Sequence, residues 1–368
     1  MPITNLGIRD RDAYLLRTAG QSWASIVRTL GFNNESTARL SANRYATQNN
    51  QPPLTTPNPR RSQAGRLAAY ARFNRPQTTV NQILNRRTTP PLPGRRSRNQ
   101  HGERTFGCEI EYVNMSRQTV AVAVANALGV SHIHVVPYHG NVCEVCHMGI
   151  GATYGQWKVE RDGSVSTGGE VVSPILSGVD GMEQIKKVAQ AVKLAGGSIS
   201  RSCGLHIHVG VKDLSPQARV NLLTRWYATF PSVKKFVSKN RWTSPYCSTP
   251  TASELGGWKT EILAGRDPDK TRAIRTRSMN ITNFPKTGTY EIRLHQGSLN
   301  PKKITTWIKF LLAFVEFGSQ NDEFENPTNE EFGFLNCLTK PVLNKTNLFT
   351  EQDVNYLKQR SQTLQGVI

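Results

Sequence analysis

Thr105-Phe-Gly-Cys-Glu-Ile-Glu-Tyr112 alternates apolar and acidic side chains with the two-residue period of a half-buried strand. Phe106, Cys108, Ile110 and Tyr112 share one face, and Glu109 and Glu111 the other. Carboxylates at i and i+2 stand roughly 7 Å apart, and at an effective dielectric of ~20 their repulsion is about 2 kcal/mol, so a cationic group is expected between them. A lone Glu-x-Glu is common on solvated strands. Here the device recurs: Gly204-Leu-His-Ile-His-Val209 sets His206 and His208 opposite Leu205, Ile207 and Val209. Tyr290-Glu-Ile-Arg-Leu-His295 sets Glu291, Arg293 and His295 opposite Tyr290, Ile292 and Leu294. Three such strands in one sheet would make a core on one face and, on the other, a floor for divalent cations and phosphates.

The chain has 368 residues and 37% hydrophobic content with 6 Trp, enough for a large core. No apolar run is long enough to span a membrane and no secretory pattern opens the chain, so the expectation is a cytoplasmic protein with no membrane partner. Six cysteines in this length are expected as reduced thiols. The net charge of +20 is uneven: residues 1–104 hold 17 Arg and no Lys against four acids, or +13. That arm is predicted to bind nucleic acid or an acidic protein partner.

Residues 1–47 read as a trihelical, helix-turn-helix-like module, with Gly20 and Gly31 as breaks and Ser22 and Asn34 as N-caps. Its predicted core is Ala13, Leu16, Trp23, Ile26, Val27, Leu30, Ala38, Leu40 and Tyr45, with Arg39 and Arg44 placed to meet DNA. The same pattern also suits a bundle that docks on protein alone. Residues 48–104, with eight Pro and abundant Arg, read as a disordered linker in which Leu67 to Phe73 and Val80 to Leu84 could form short helices.

Beyond it, Thr119 to Leu128 is a predicted helix stopped by Gly129, followed by a loop-rich insertion with His132, His134, His139, Cys143, Cys146 and His147. Cys143-Glu-Val-Cys-His147 has the inner spacing of a zinc knuckle, but no second Cys-x-x-Cys follows, so no structural zinc is expected. Trp157 to Ser164 and Gly168 to Pro174 read as a hairpin with Asp162 and Glu170 near its mouth. Helices at about 180–195 and 215–238 flank the histidine strand, Ser278 to Asn283 pairs with the last strand, Pro301 to Phe317 is a strongly apolar helix, and another helix lies near 351–363. The predicted fold is α+β: an antiparallel sheet with helices packed on one face over 105–340, preceded by the small all-α module and followed by a helical extension at 341–368.

Taken in order, Phe106-Gly-Cys-Glu-Ile-Glu111, Trp157-Lys-Val-Glu-Arg-Asp-Gly-Ser164, Gly169-Glu-Val-Val-Ser-Pro174, Ser202-Cys-Gly-Leu-His-Ile-His-Val209, Asn280 and Thr289-Tyr-Glu-Ile-Arg-Leu-His-Gln-Gly297 resemble the amidoligase family. That family comprises carboxylate-amine ligases with a glutamine synthetase or glutamate-cysteine ligase type of fold. The resemblance implies that Glu109, Glu111, Glu170, His206 and Glu291, with Asp162 as a further member, hold Mg2+ or Mn2+. It implies that His208, Arg293 and Lys158 address ATP, and that Arg241, in Ser238-Lys-Asn-Arg-Trp242, neutralises the transferred phosphate.

The implied reaction turns a carboxylate into an acyl phosphate, which an amine, on a small molecule, a peptide or a protein, then attacks to give an amide or isopeptide bond. Substrate pockets would be built by the loops at about 130–156 and 243–277. The competing expectation is a phage nucleic-acid-binding or structural protein whose ligase fold no longer turns over, using the Arg-rich arm to bind DNA or a virion.

Overall fold

Ser22 and Asn34 start two of the three N-terminal helices. The structure is a computed structural model, describing residues 5–18, 21–49, 97–138, 140–149, 155–269, 271, 273–320, 331–340 and 348–366. Two units emerge, Met1–Leu92 and Pro93–Ile368.

In the first unit the helices are α1 (Asn5–Thr18), α2 (Trp23–Leu30) and α3 (Glu35–Gln48). Ser22 Oγ accepts the Ser25 N–H at 3.1 Å. Asn34 Oδ1 accepts the Thr37 N–H at 2.9 Å while Thr37 Oγ1 accepts the Asn34 N–H at 3.2 Å, a reciprocal cap that satisfies two otherwise orphaned donors. Ala13, Leu16, Trp23, Ile26 and Ala38 are buried as expected, with Val27, Leu30 and Tyr45 partly so. Leu40 is not: it is 65% exposed, because Ala38, Ala42 and Ala46 form the inward row of α3 and a residue two positions from Ala38 faces away. Arg39 lies over the Trp23 ring at 5.2 Å and pairs with Glu35 at 3.2 Å, and Arg44 reaches Asp10 at 3.4 Å. The possible helices at Leu67 to Phe73 and Val80 to Leu84, and residues 50–96 of the predicted linker, lie outside the described residues.

The second unit is built on a mostly antiparallel sheet. Its strands are β1 (Thr105–Val113), β2 (His134–Val136), β3 (Lys158–Glu160), β4 (Gly168–Val172), β5 (Leu176–Ser177), β6 (Gly204–Gly210), β7 (Met279–Asn280) and β8 (Thr289–Gln296). Their order is β2-β3-β4-β1-β6-β8-β7, with β5 pairing the start of β1. β2 and β3 are the parallel exception.

The longer helices are α4 (Arg117–Leu128), α5 (Gly178–Leu194), α6 (Pro216–Val233), α8 (Ala252–Leu263), α10 (Pro301–Gly318) and α12 (Glu351–Leu364); α7 (Lys239–Trp242), α9 (Phe284–Thr287) and α11 (Phe334–Leu338) are single turns. The apolar side of β1, with Phe106, Cys108, Ile110 and Tyr112 all buried, faces α5: a Cβ added at Gly181 would lie 3.1 Å from the Phe106 ring. α10 continues this layer, with Trp307, Phe310 and Phe314 buried and Phe314 edge-on to Trp226 of α6 at 5.4 Å.

Ser97 to Arg104, assigned from composition to the linker, instead dock on this unit. The Thr105 N–H bonds to the Ser97 carbonyl at 2.8 Å, and Ser97 Oγ accepts the Lys212 N–H at 2.6 Å. Arg104 is buried, donating to Glu316 at 2.7 Å and Asp213 at 2.8 Å, while Arg98 donates to the same two carboxylates at 2.7 and 2.8 Å. The arginines serve a fixed pair of acids here, which composition alone could not reveal.

Candidate active site

The polar face of β1 decides what its neighbours bring. Glu109 sits opposite His206 of β6, Glu111 opposite Glu170 of β4, and Glu170 in turn opposite Glu160 of β3. His208 sits opposite Glu291 of β8. Directly opposed residues share a face, so the sheet gathers Glu109, Glu111, Glu160, Glu170, His206, His208 and Glu291 on one side.

Two groups form. Ligand atoms of Glu109, His208 and Glu291 lie within 4.8 Å of one another, as do those of Glu111, Asp162 and Glu170. His206 stands between them: Nδ1 is 3.1 Å from Glu109 and 3.8 Å from Glu291, and Nε2 is 3.4 Å from Glu111. His208, assigned by resemblance to the phosphates, lies 3.1 Å from Glu109 and 3.2 Å from Thr289 Oγ1, beside the first carboxylate group. Asp162 is held by the turn after β3, where its Oδ1 accepts the Ser164 N–H at 2.6 Å. Asn280 and Asn283 donate to Glu291 at 2.7 and 2.8 Å.

The cations are close by. Arg293 pairs with Glu291, and Arg241 of α7 donates to the Arg293 carbonyl at 2.8 Å. The Nε of each of these arginines is buried without a hydrogen-bond partner. Lys158 pairs with Glu160 on the same strand face. Glu160 was missed from sequence, although Lys158-Val-Glu160 carries the same alternation as Glu109-Ile-Glu111.

The field of this cluster is uneven. Burial works against the charge of Glu109, but His208 and His206 outweigh it and hold its carboxyl well below the usual range. Burial also opposes ionisation of Glu291, which Arg293 and His208 nevertheless draw down. Burial lowers His208, yet Glu109 prevails and raises it. Glu170 goes the other way: burial first, then Glu109, Asp162, Glu160 and Glu111, push its carboxyl well up. The arrangement thus splits into a balanced half around the histidines and an acid-rich half short of positive charge.

One residue expected on this face is absent from it. His295 is buried against Trp307, ring centroids 5.2 Å apart, on the helix side. The cause is a β-bulge: Leu205 faces His295 but Ile207 faces Ile292, so β8 spends three residues where β6 spends two and the alternation inverts past Arg293. Burial, with Arg360 close by, presses the His295 pKa down to about 3.

No curated protein matches the chain. Residues 102–315, more than half of it, match the family described as "Putative amidoligase enzyme", and this stretch contains every strand that builds the carboxylate face. The chain therefore belongs to the amidoligase family.

Proposed function

We propose that the protein is an ATP- and Mg2+-dependent carboxylate-amine ligase that forms an amide or isopeptide bond through an acyl phosphate, on a glutamine synthetase-type catalytic domain. Family membership points to a ligase-type enzyme. The observation that carries the finer reading is the pair of carboxylate groups joined by His206.

The donor set suits hard divalent cations, being five carboxylates and one imidazole in two groups. The lack of a side chain at Gly204 keeps the space open: an added Cβ would come within 2.7 Å of His206 Nε2 and 3.3 Å of Glu111 Oε1. The upward push on Glu170 reflects carboxylates crowded without a counter-charge, the deficit a cation removes. Mg2+, or Mn2+ with the same oxygen preference, would be held by Glu109, His208 and Glu291 and by Glu111, Asp162 and Glu170, and when bound it neutralises charge on nucleotide phosphate oxygens.

The chain's own groups do the rest. Arg293, oriented by Glu291, and Arg241, anchored on the Arg293 carbonyl, supply positive charge for the transferred phosphoryl group. A carboxylate resists attack because its oxygen leaves poorly. Phosphorylation makes that oxygen part of a stable leaving group, and the amine nitrogen then bonds to carbon as phosphate departs. Lys158, held by Glu160, lies one strand beyond β4 and serves the nucleotide's outer phosphates. The acid and amine partners, a peptide or protein among them, enter from the exposed side, and the Arg-rich arm recruits nucleic acid or an acidic protein.

The test is purified protein with ATP, Mg2+ and a library of acids and amines. ADP released only with a matched pair, and lost in Arg293→Lys, supports the ligase. No ADP with any pair, together with tight, steeply salt-dependent DNA binding, leaves the silent DNA-binding protein instead.

A further inference from the structure

We propose that His132, His134, Cys143 and Cys146 form a structural Zn2+ site that staples the insertion between α4 and β3 to the edge of the sheet. It uses none of the carboxylate groups' residues.

The sequence lacks a second Cys-x-x-Cys, the reason no zinc is expected from spacing. The fold supplies the missing pair from a strand. His132-Ile-His134 runs into β2 with Ile133 buried, so the two imidazoles leave on the same side, rings edge to face at 4.8 Å. Cys143-Glu-Val-Cys146 then turns back over them. Glu144 N–H bonds to the Val135 carbonyl at 2.7 Å, His147 N–H to the Cys143 carbonyl at 3.0 Å, and Cys143 N–H to the Met148 carbonyl at 3.0 Å. Backbone bonding thus ties the loop that carries the thiols to the histidine strand.

Two S···N distances match those of a tetrahedral site. Cys143 Sγ lies 3.7 Å from His132 Nε2, Cys146 Sγ lies 3.7 Å from His134 Nδ1, and one ligand atom from each of the four residues falls within 4.8 Å of the others. A tetrahedral ion with S at about 2.3 Å and N at about 2.05 Å sets its S and N ligands about 3.6 Å apart. Two sulfurs and two imidazole nitrogens select Zn2+ over the Mg2+ suited to the carboxylates, and four protein ligands leave no open position for catalysis. Burial works to raise the Cys143 thiol, but backbone N–H groups of Cys146 and Val145 and the rings of His134 and His132 outweigh it and bring it to about 5, the direction that favours a ligating thiolate. Cys143 is fully buried beside Val136, and Cys146 packs on both.

The consequence is mechanical support for the site's flank. β2 pairs in parallel with β3, placing His134 opposite Lys158 and Val136 opposite Glu160. β2 is an edge strand of only three residues, and metal binding converts directly into folding free energy for the segment that carries the ligands.

Full-length protein purified under reducing conditions should contain one zinc per chain by elemental analysis. Replacement by Co2+ should show the intense visible bands of a tetrahedral ion and a thiolate-to-metal charge-transfer band. Cys143→Ser and His134→Ala should each lose the zinc, whereas Glu111→Gln should keep it, and a strong chelator should lower the wild-type melting temperature. Because the cobalt spectrum is read on the wild type, a variant that fails to fold does not remove the test. Wild type that takes up no zinc after reduction, zinc retained in Cys143→Ser, or cobalt bands without thiolate charge transfer each overturns the proposal.

Discussion

Glu111 accepts the backbone N–H of Gly204 at 2.7 Å, and the missing side chain at 204 leaves room beside it for His206 Nε2 and Arg241 Nη2. Gly204→Ala places a methyl 2.7 Å from His206 Nε2 and 3.1 Å from Arg241 Nη2. The arginine tip can yield, but His206 is held from both sides by Glu109 and Glu111. Turnover should fall by about 10²-fold, the effect of a misplacement near 1 Å at a reacting centre. Steady-state ADP release and Mn2+ binding by paramagnetic resonance check it; wild-type values in both would show that the cradle is not the reacting centre.

Charge neutralisation should have opposite effects in the two halves of the cluster. Glu109 is stabilised as an anion by His208 and His206, so Glu109→Gln should lower metal-free stability by about 1–3 kcal/mol, the worth of hydrogen bonds to a charged group. Glu170 is destabilised as an anion by its neighbours, so Glu170→Gln should leave the metal-free protein equally or more stable while weakening Mg2+ binding. Simple repulsion between Glu109 and Glu111 would instead make Glu109→Gln stabilising as well. Thermal melting in chelator, then with Mg2+, separates the two cases.

The Arg98 and Arg104 cluster makes stability depend on pH. Burial works to raise the carboxyls of Glu316 and Asp213, but the two arginines hold both below their ordinary values of 4.5 and 3.8. Since the folded values are depressed, their contribution is complete above the ordinary values and is lost as pH falls through the folded ones. The melting temperature should drop as pH falls below about 4.5 and through the depressed folded values, and Glu316→Gln should flatten that slope. An unchanged slope would assign the acid sensitivity to other groups.

Where the chain is cut should matter within eight residues. A protein starting at Ser97 keeps both arginines, whereas one starting at Thr105 leaves Glu316 and Asp213 without their partners. Breaking a largely buried pair from one side costs roughly 3 kcal/mol, so the shorter protein should unfold at clearly lower denaturant. Coincident urea transitions for the two would contradict this.

The three central strands were legible because alternation over Glu109 to Tyr112, Leu205 to Val209 and Tyr290 to Arg293 is a local signal, and the pairing that gathers their polar faces follows once they share a sheet. His295 was not legible: the bulge that inverts it belongs to the pairing of β6 with β8, and strict alternation along β8 cannot announce it. The same holds for Arg104, whose partners Asp213 and Glu316 lie far along the chain, and for His132 and His134, which gain their meaning from a turn that comes back over them. Leu40 misled because hydrophobicity alone was followed where the small-residue row of α3 sets the inward face.

The short fold-back from Ser97 to Arg104 also determines how the domain would bear a load. Tension arriving through the N-terminal arm meets the Ser97 bonds to Thr105 and Lys212 first, then the Arg98 pairs and the Arg104 pairs, before it reaches the ladder between β1 and its neighbours. Ionic contacts peeled in sequence yield gradually, so the arm could be tugged by whatever it holds while the strand carrying Glu109 and Glu111 keeps its register. The fold-back acts as a strain relief, in the sense used for a cable entering its housing.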